Sequence, residues 1–345
     1  MYKHVSASYT DINLLYLPLA RVTSIAKSKR LEFMSKESGI PIKWPPYVWF
    51  NGSIVKWDEA KVHVFSHALH YGTGVFEGIR GYYDNGFIKI FRLEDHIVRL
   101  YRSAKIIYMD IPYPMRRLID ATIELVKANK FRNDIYIRPI AFRGLGSFGL
   151  RAQNPVDVAI ISVEFGKYLK PNGIRCMVSS WRKPAPDSIP VEAKATGIYL
   201  LYHLTALEAH INGYDEAVLL DSEGYVAEGS GENIFIVKNG ELITPPVYNS
   251  ILEGITRDTV ITLAKEVLGI KVKERRIRRA ELYTSDEVFF TGTAAEITPI
   301  IEIDGRTVGN GNVGEVTKKL MDLYREVALG KIERYIHWVT SVAID

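Results

Sequence analysis

The hexapeptide "GLGSFG", Gly144 to Gly149, constrains the fold more than any other short stretch of this chain. Its glycines fit G-x-G-x-x-G, and it follows "DIYIRPIAFRG", an apolar run that reads as a strand. A dinucleotide fingerprint needs a helix next, because the helix N-terminus holds the pyrophosphate. Here "LRAQNPVD" intervenes, with Pro155, and a second strand, "VDVAIISVEFG", starts at once. The unit is strand–loop–strand rather than βαβ. Glu164, which lies about where a ribose-binding carboxylate belongs, loses that meaning with it.

The rest of the chain mixes strands and helices without a strict βαβ repeat, so the fold class is α+β. At 345 residues the chain is too long for one small core and is expected to form two domains, or one large one, with two domains the reading adopted. Residues 1–46 are a poorly specified extension. Its apolar run, Ile12 to Ala20, is broken by Pro18, closed by Arg21 and too short to span a bilayer. Asp11 makes it a poor signal peptide, and "IPIKWPP" reads as a linker. Residues 47–161 form a smaller domain. It opens on a hairpin around Asn51-Gly52 and carries two amphipathic helices, "RLEDHIVRLYRSAKIIYM" and "MRRLIDATIELVKANK". Residues 162–172, ending in "YLKPN", connect it to a larger domain, 173–345. There "GIYLLYHLTALEAHING", "TRDTVITLAKEVLG" and "VGEVTKKLMDLYREVALG" read as helices. "EAVLLDSEGYVAEGSGENIFIVKNGELITPP" reads as three strands, and "EVFFTGTAAEITPIIEIDG" returns to strand.

A net charge of +4 with 24% charged residues indicates neither a nucleic-acid binder nor a polybasic membrane protein. The one dense basic run, "KVKERRIRR", reads as a solvated strand face. The single cysteine, Cys176, sits in a strand-like setting and reads as a buried inert thiol in a reducing compartment. His63, His67 and His70 are closely spaced, but the run passes from strand to turn with no completing ligand, so no metal is expected.

Three stretches carry chemistry. In "LEGITRDTV", Gly254-Ile255-Thr256 open a helix whose orphan N–H groups attract anions; plain N-capping by Thr256 is the other reading. "TGTAAE", Thr291 to Glu296, is a second cluster of small residues and hydroxyls through which backbone N–H groups can approach a ligand. "YVAEGSGENIFIV" holds Glu228 and Glu232 beside turn glycines, and a carboxylate aimed inward needs a cationic partner. Against these stands Lys194 in "EAKATG", next to an apolar run. Two anion cradles, an amine and a carboxylate fit pyridoxal 5'-phosphate, which needs a phosphate cradle, an amine for a Schiff base and an acid on its ring nitrogen. The amine must shed its proton near neutrality. Lowering a lysine by three pH units costs about 4 kcal/mol, which burial and a nearby cation supply.

From Tyr47 to about Trp338 the chain resembles the branched-chain amino acid aminotransferases, class IV pyridoxal phosphate enzymes of fold type IV. The resemblance rests on "KVHVFSHALHYGTGVFEGIRGY", "IYIRP", "SSWRKPAPDSIPVEAKATGIYL", "AEGSGENIF", "LEGITRD" and "FFTGTAAEITPI", in that order. It implies a two-domain fold like that of D-amino acid aminotransferase, with the smaller domain first. It implies that Lys194 carries the cofactor as a Schiff base and moves the proton between Cα and C4′. Glu228 then pairs with the pyridine nitrogen, Tyr199 bonds the phenolic oxygen, and Leu252 packs on the ring. Arg99, Ile255, Thr256 and Thr293 hold the phosphate. Thr293, the Ala294 N–H and Tyr136 receive the substrate carboxylate. Phe76, Phe165, Tyr168 and Tyr199 wall the side chain. Arg138, with Tyr71 of the partner subunit, meets glutamate's second carboxylate.

The implied reaction exchanges the amino group of leucine, isoleucine or valine with 2-oxoglutarate. The implied setting is a cytoplasmic homodimer or higher oligomer, bound to neither membrane nor nucleic acid, in branched-chain amino-acid biosynthesis. Many members have proline where this chain has Glu253, and tryptophan where it has Phe165. Rivals within the fold are D-amino acid aminotransferases, aminodeoxychorismate lyases and amine transaminases; "IYIRP" favours the branched-chain group. From another class, a nicotinamide oxidoreductase would rely on "GLGSFG".

Overall fold

The computed structural model describes residues 43–344; the extension's apolar run, Ile12 to Ala20, lies outside them. Two sheets organise the described chain. The first has eight strands, in the order Val339–Ala343, Phe87–Phe91, Ile79–Asp84, Ile135–Arg143, Val156–Glu164, Tyr47–Phe50, Ser53–Lys56, with Gly74–Phe76 beside Ile135–Arg143. All its pairings are antiparallel. "GLGSFG" lies in the loop joining Ile135–Arg143 to its antiparallel neighbour Val156–Glu164, so no helix follows it and the strand–loop–strand reading holds. Helices Leu93–Ile106 and Met115–Asn129 bury one face each. Ile97, Leu100, Leu118 and Leu125 meet Ile88, Ile90, Ile135 and Ile160 of the sheet in a single core.

The second sheet has nine strands, in the order Val226–Gly229, Glu216–Leu220, Ile174–Arg182, Glu296–Ile303, Glu287–Gly292, Asn233–Lys238, Glu241–Thr244, Val272–Glu274, with Arg306–Thr307 beside Glu296–Ile303. Val226–Gly229 also pairs with Asn233–Lys238, so the path closes on itself. That closure sets Glu228 opposite Asn233. Helix Tyr199–Ile211 packs on strands Ile174–Arg182 and Glu216–Leu220, and helices Ile255–Glu266 and Glu315–Ala328 pack on each other and on Glu287–Gly292. Cys176 is fully buried in this sheet.

Several local expectations need correction. The segment Glu216–Thr244 holds four strands, not three, because the turn between Val226–Gly229 and Asn233–Lys238 is only three residues long. Residues His63 to Ser66 are not a strand; they lead into a short helix, His67–Tyr71. Helix Ile255–Glu266 starts on Gly254 with no side-chain cap, so Thr256 lies inside the first turn and is not the N-cap. The basic run holds one short strand, Val272–Glu274, and most of its cations are paired: Lys271 and Lys273 with Glu241, Arg275 with Glu281, Arg276 with Glu223 and Arg279 with Asp304. Strand Val339–Ala343 returns to the first sheet. Among the described residues no helix is long and apolar enough to cross a membrane.

Candidate active site

Lys194 is placed by its backbone before its side chain matters. Its N–H donates to Ser103 Oγ at 3.0 Å, and its carbonyl accepts from the Phe76 N–H at 3.1 Å. Ala195 forms an isolated bridge with Val75. The segment is thus tied to the first sheet and to helix Leu93–Ile106, and the side chain points into a cavity of about 450 Å³. There Nζ donates to the Tyr199 hydroxyl at 2.6 Å and stands 5.1 Å from the centre of the Phe76 ring. Burial brings its pKa down to about 8, aided by the positive field of Arg99. An amine held in a cavity and titrating near neutrality is a nucleophile and a proton carrier.

Glu228 lines the same cavity. Its Oε2 accepts from Asn233 Nδ2 and from the Leu252 N–H, each at 3.1 Å. Its Oε1 lies 2.5 Å from Lys183 Nζ, the cationic partner an inward carboxylate requires. Four donors or near-donors, counting Tyr202, fix the carboxylate's plane.

A third wall is cationic and rich in N–H groups. Arg99 donates Nε and Nη2 to the two oxygens of Glu77, at 2.6 and 2.8 Å, and Nη1 to the Glu253 carbonyl at 2.8 Å. Burial pushes the Glu77 carboxyl up, but Arg99 and then His96 hold it well below the usual carboxylate range. Beside Arg99 the helix Ile255–Glu266 begins, with its first N–H groups free of intrahelical partners. Gly254 is required there: a Cβ would stand 1.9 Å from Asn233 Oδ1. Thr291, Gly292, Thr293 and Ala294 complete this wall. The Thr291 hydroxyl and Arg138 Nε are buried with no hydrogen-bond partner, donors left over for a bound molecule.

The opposite wall is apolar and aromatic. Phe76 meets Tyr199 edge-on at 4.5 Å, Tyr136 lies 5.0 Å from Phe165, and Phe165 stacks with Tyr168 at 6.3 Å. Arg138 stands 4.6 Å from the centre of the Phe76 ring and donates to the Tyr136 hydroxyl at 3.1 Å. Glu232 also reaches the cavity; burial and the neighbouring Glu216 push its carboxyl well up, so a second acidic group with no cationic partner among the described residues sits near Glu228.

The structure therefore brings together Lys194, Tyr199, Glu228, Arg99, Leu252, Ile255, Thr256, Thr293, Ala294, Phe76, Tyr136, Arg138, Phe165 and Tyr168 around one cavity. Tyr71 is not among them. It lies in a separate aromatic cluster with His67, at 4.5 Å, and Phe148, at 5.8 Å. The three histidines are occupied otherwise. His63 Nδ1 accepts from the Phe65 N–H, His67 contacts Thr73 and the Gly149 carbonyl, and His70 contacts the Val64 carbonyl. Among the described residues no group of three or more His, Cys, Asp or Glu is arranged to hold a metal.

Sequence reasoning passed over Glu77, Lys183, Asn233, Trp44 and Trp57. Glu77 had a signal, as a lone acid between apolar residues in "GVFEGIR". Lys183 had a weaker one, as a lysine set between the end of a strand and Pro184, but nothing local names its partner. Trp44 and Trp57 stack at 5.0 Å and line the cavity's edge, bringing "KWPP" to the site.

An amine held beside a tyrosine, a fixed carboxylate and an anion-binding helix start define a site for a phosphorylated, ring-bearing aldehyde. A class IV aminotransferase family model matches residues 74–303, and the chain belongs to that family. Its similarity is to the branched-chain members. It is 47% identical over 300 residues to a probable branched-chain-amino-acid aminotransferase of Aquifex aeolicus, covering 86% of this chain and 96% of that one. The branched-chain aminotransferase of Thermoproteus uzoniensis, solved with norvaline, is 52% identical with a TM-score of 0.83, over 86% of this chain and 99% of that one. A T.th. branched-chain amino acid aminotransferase, solved in complex with N-(5'-phosphopyridoxyl)-L-glutamate, is 45% identical with a TM-score of 0.83, over 86% and 98%.

Proposed function

We propose that this chain catalyses pyridoxal-phosphate-dependent transamination of branched-chain L-amino acids with 2-oxoglutarate, giving branched-chain 2-oxo acids and L-glutamate. The observation that carries the reading is Lys194: a half-buried lysine whose amine is brought down to about 8, bonded to Tyr199, in one cavity with Glu228 and the start of helix Ile255–Glu266. The phosphopyridoxyl-glutamate complex of the T.th. relative supports both cofactor and second substrate.

When bound, pyridoxal phosphate supplies an aldehyde for the amine and a protonated ring that accepts electrons from the substrate's Cα. Lys194 takes the Cα proton and later returns one; its pKa of about 8 suits both tasks. The Tyr199 hydroxyl fixes where that amine waits. Glu228 accepts the ring N–H. Arg99, the N–H groups of Ile255 and Thr256, and Thr293 hold the phosphate, and Leu252 covers the ring. Tyr136, Thr293 and the Ala294 N–H receive the α-carboxylate. Phe76, Phe165 and Tyr168 exclude water around an aliphatic side chain, while Arg138 offers glutamate's carboxylate a cation in the same volume.

The proposal includes a homodimer. Val64, Leu69, Phe148 and Leu150 are 77, 63, 66 and 83% exposed, a concentration of apolar surface around Tyr71 that a second copy would cover. Tyr71 of the partner subunit would then reach this chain's Arg138. A cytoplasmic location belongs to the same proposal, in keeping with one unpaired cysteine.

The test is a substrate panel with 2-oxoglutarate on the purified protein. L-Leucine, L-isoleucine and L-valine are expected to react. Activity on D-alanine alone overturns the reading. Borohydride reduction followed by peptide mapping should place a pyridoxyl group on the peptide bearing Lys194, and an adduct elsewhere removes Lys194 from its role.

A further inference from the structure

We propose that Lys183 is a positioning residue for the cofactor: it holds Glu228 as an oriented, ionised carboxylate, so that the cavity-facing edge of Glu228 accepts the N–H of the bound ring. The inference rests on the functional reading above. Lys183 follows strand Ile174–Arg182, and its main-chain N–H donates to the Leu220 carbonyl at 2.9 Å. Its side chain is 0% exposed and does not line the cavity. Nζ lies 2.5 Å from Glu228 Oε1 and also donates to the Tyr202 hydroxyl, 4.6 Å from the centre of that ring. The Tyr202 hydroxyl is in turn 3.5 Å from Oε1. From the other side, Asn233 Nδ2 and the Leu252 N–H reach Oε2.

One of these donors differs in kind from the rest. Tyr202, Asn233 and Leu252 N–H are neutral, and the other titratable groups facing Glu228, Tyr199 and Glu232, are acids. Lys183 is the one cation bonded to Glu228 among the described residues. A buried carboxylate deprived of its cation takes up a proton, because desolvation disfavours the charge. A protonated Glu228 presents an O–H donor where the site needs an acceptor. Lys183 thus decides the hydrogen-bonding sense of Glu228 while touching neither cofactor nor substrate.

The test compares the full-length parent with Lys183→Met, Lys183→Arg and the double variant Lys183→Met/Glu228→Gln. Pyridoxal phosphate affinity is read by equilibrium dialysis, the bound cofactor by its absorption spectrum, and turnover by kcat and KM for L-leucine. Lys183→Met is expected to weaken pyridoxal phosphate at least tenfold, shift the absorption of the fraction that binds, and lower kcat at least tenfold with KM within threefold. Lys183→Arg is expected to keep affinity and spectrum within threefold of the parent. The double variant, which removes both buried charges, should unfold at a higher temperature than Lys183→Met yet recover no kcat. Should Lys183→Met fail to fold, the arginine and double variants decide. A Lys183→Met protein that loses thermal stability but keeps the parent's spectrum and kcat overturns the role, and so does a Lys183→Arg protein with a shifted spectrum, or a double variant with the parent's kcat. A parent that takes up no pyridoxal phosphate overturns the functional reading itself, a result distinct from all of these.

Discussion

Replacing Lys194 with methionine should stabilise the cofactor-free protein, and the gain should disappear at high pH. The side chain is half-buried and lines the cavity, and burial lowers the amine from 10.5 to about 8. A difference of about two and a half pH units corresponds to roughly 3 kcal/mol of penalty for the charged form in the folded state. Water reaching Nζ in the cavity screens part of it, so about 2 kcal/mol is the working figure. The sign follows from proton counting. Between the folded and unfolded pKa values the unfolded chain binds more protons, so the parent gains stability as pH rises through that window. At pH 7 both states are charged and the penalty is nearly complete; by pH 10 roughly three quarters of it is gone. Methionine has no such term, and every other titrating group is common to both proteins. Urea unfolding of the two proteins at pH 7, 8, 9 and 10, stripped of cofactor, gives the difference directly. Methionine is expected to lead by about 2 kcal/mol at pH 7 and by less than about 1 at pH 10. A variant no more stable than the parent at pH 7, or a difference flat with pH, refutes the claim that the fold holds Lys194 at a cost.

Three further outcomes are expected. Glu77→Gln leaves buried Arg99 without its counter-charge and should lower stability by roughly 3 kcal/mol near neutrality. The folded Glu77 carboxyl lies below its unfolded value, so its contribution is present above about pH 4–5 and lost in more acid solution; the gap to the variant should narrow there, and a constant gap counts against the pairing. Cys176 is fully buried and its thiol is pushed well up by burial, so a thiol reagent should leave the folded protein untouched and react once after unfolding; rapid labelling of folded protein contradicts the burial. Glu253 serves Arg99 through its main-chain carbonyl, which proline also carries, so Glu253→Pro should change kcat/KM by less than about twofold and stability by under about 0.5 kcal/mol, read by steady-state kinetics and urea unfolding.

The helices were legible because their apolar positions recur at helical spacing, as in Leu93–Ile106 and Met115–Asn129. The strands of the second sheet were less so. "EAVLL" and "NIFIV" are buried along their whole length, so they carry no alternation, and the short turn in "EGSGEN" hides a strand boundary. The strand Val339–Ala343 owes its existence to Phe87–Phe91, far earlier in the chain, as the Lys89–Ser341 pair with its separation of 252 shows. Within the site, the motifs contain both residues that face the cavity and residues that hold them, Glu77 and Lys183 among the latter, but local sequence does not say which pairs with which. Glu77 lies 22 residues from Arg99, and Lys183 lies 45 from Glu228. Such pairings are made by the fold, not by local sequence.

The charges in the cavity wall fall into two kinds: Arg99 and Glu228 have ion-pair partners, whereas Lys194, Arg138 and Glu232 have none among the described residues. Arg99 is clamped from behind by Glu77, and Glu228 from behind by Lys183. Each pair is buried and close to neutral as a unit, so each holds a group in place without adding a strong net field. Lys194 has no carboxylate within ion-pair distance among the described residues; its hydrogen-bond partner is a tyrosine whose own proton is held more tightly by burial. A counter-ion of the kind given to Arg99 would favour the ammonium form and take the amine out of the chemistry. The sequence contains 44 lysines and arginines, so a lysine beside an apolar run means little by itself. What marks Lys194 is that the fold sets its amine in the cavity beside Tyr199 and withholds the carboxylate it supplies to Arg99 and Lys183.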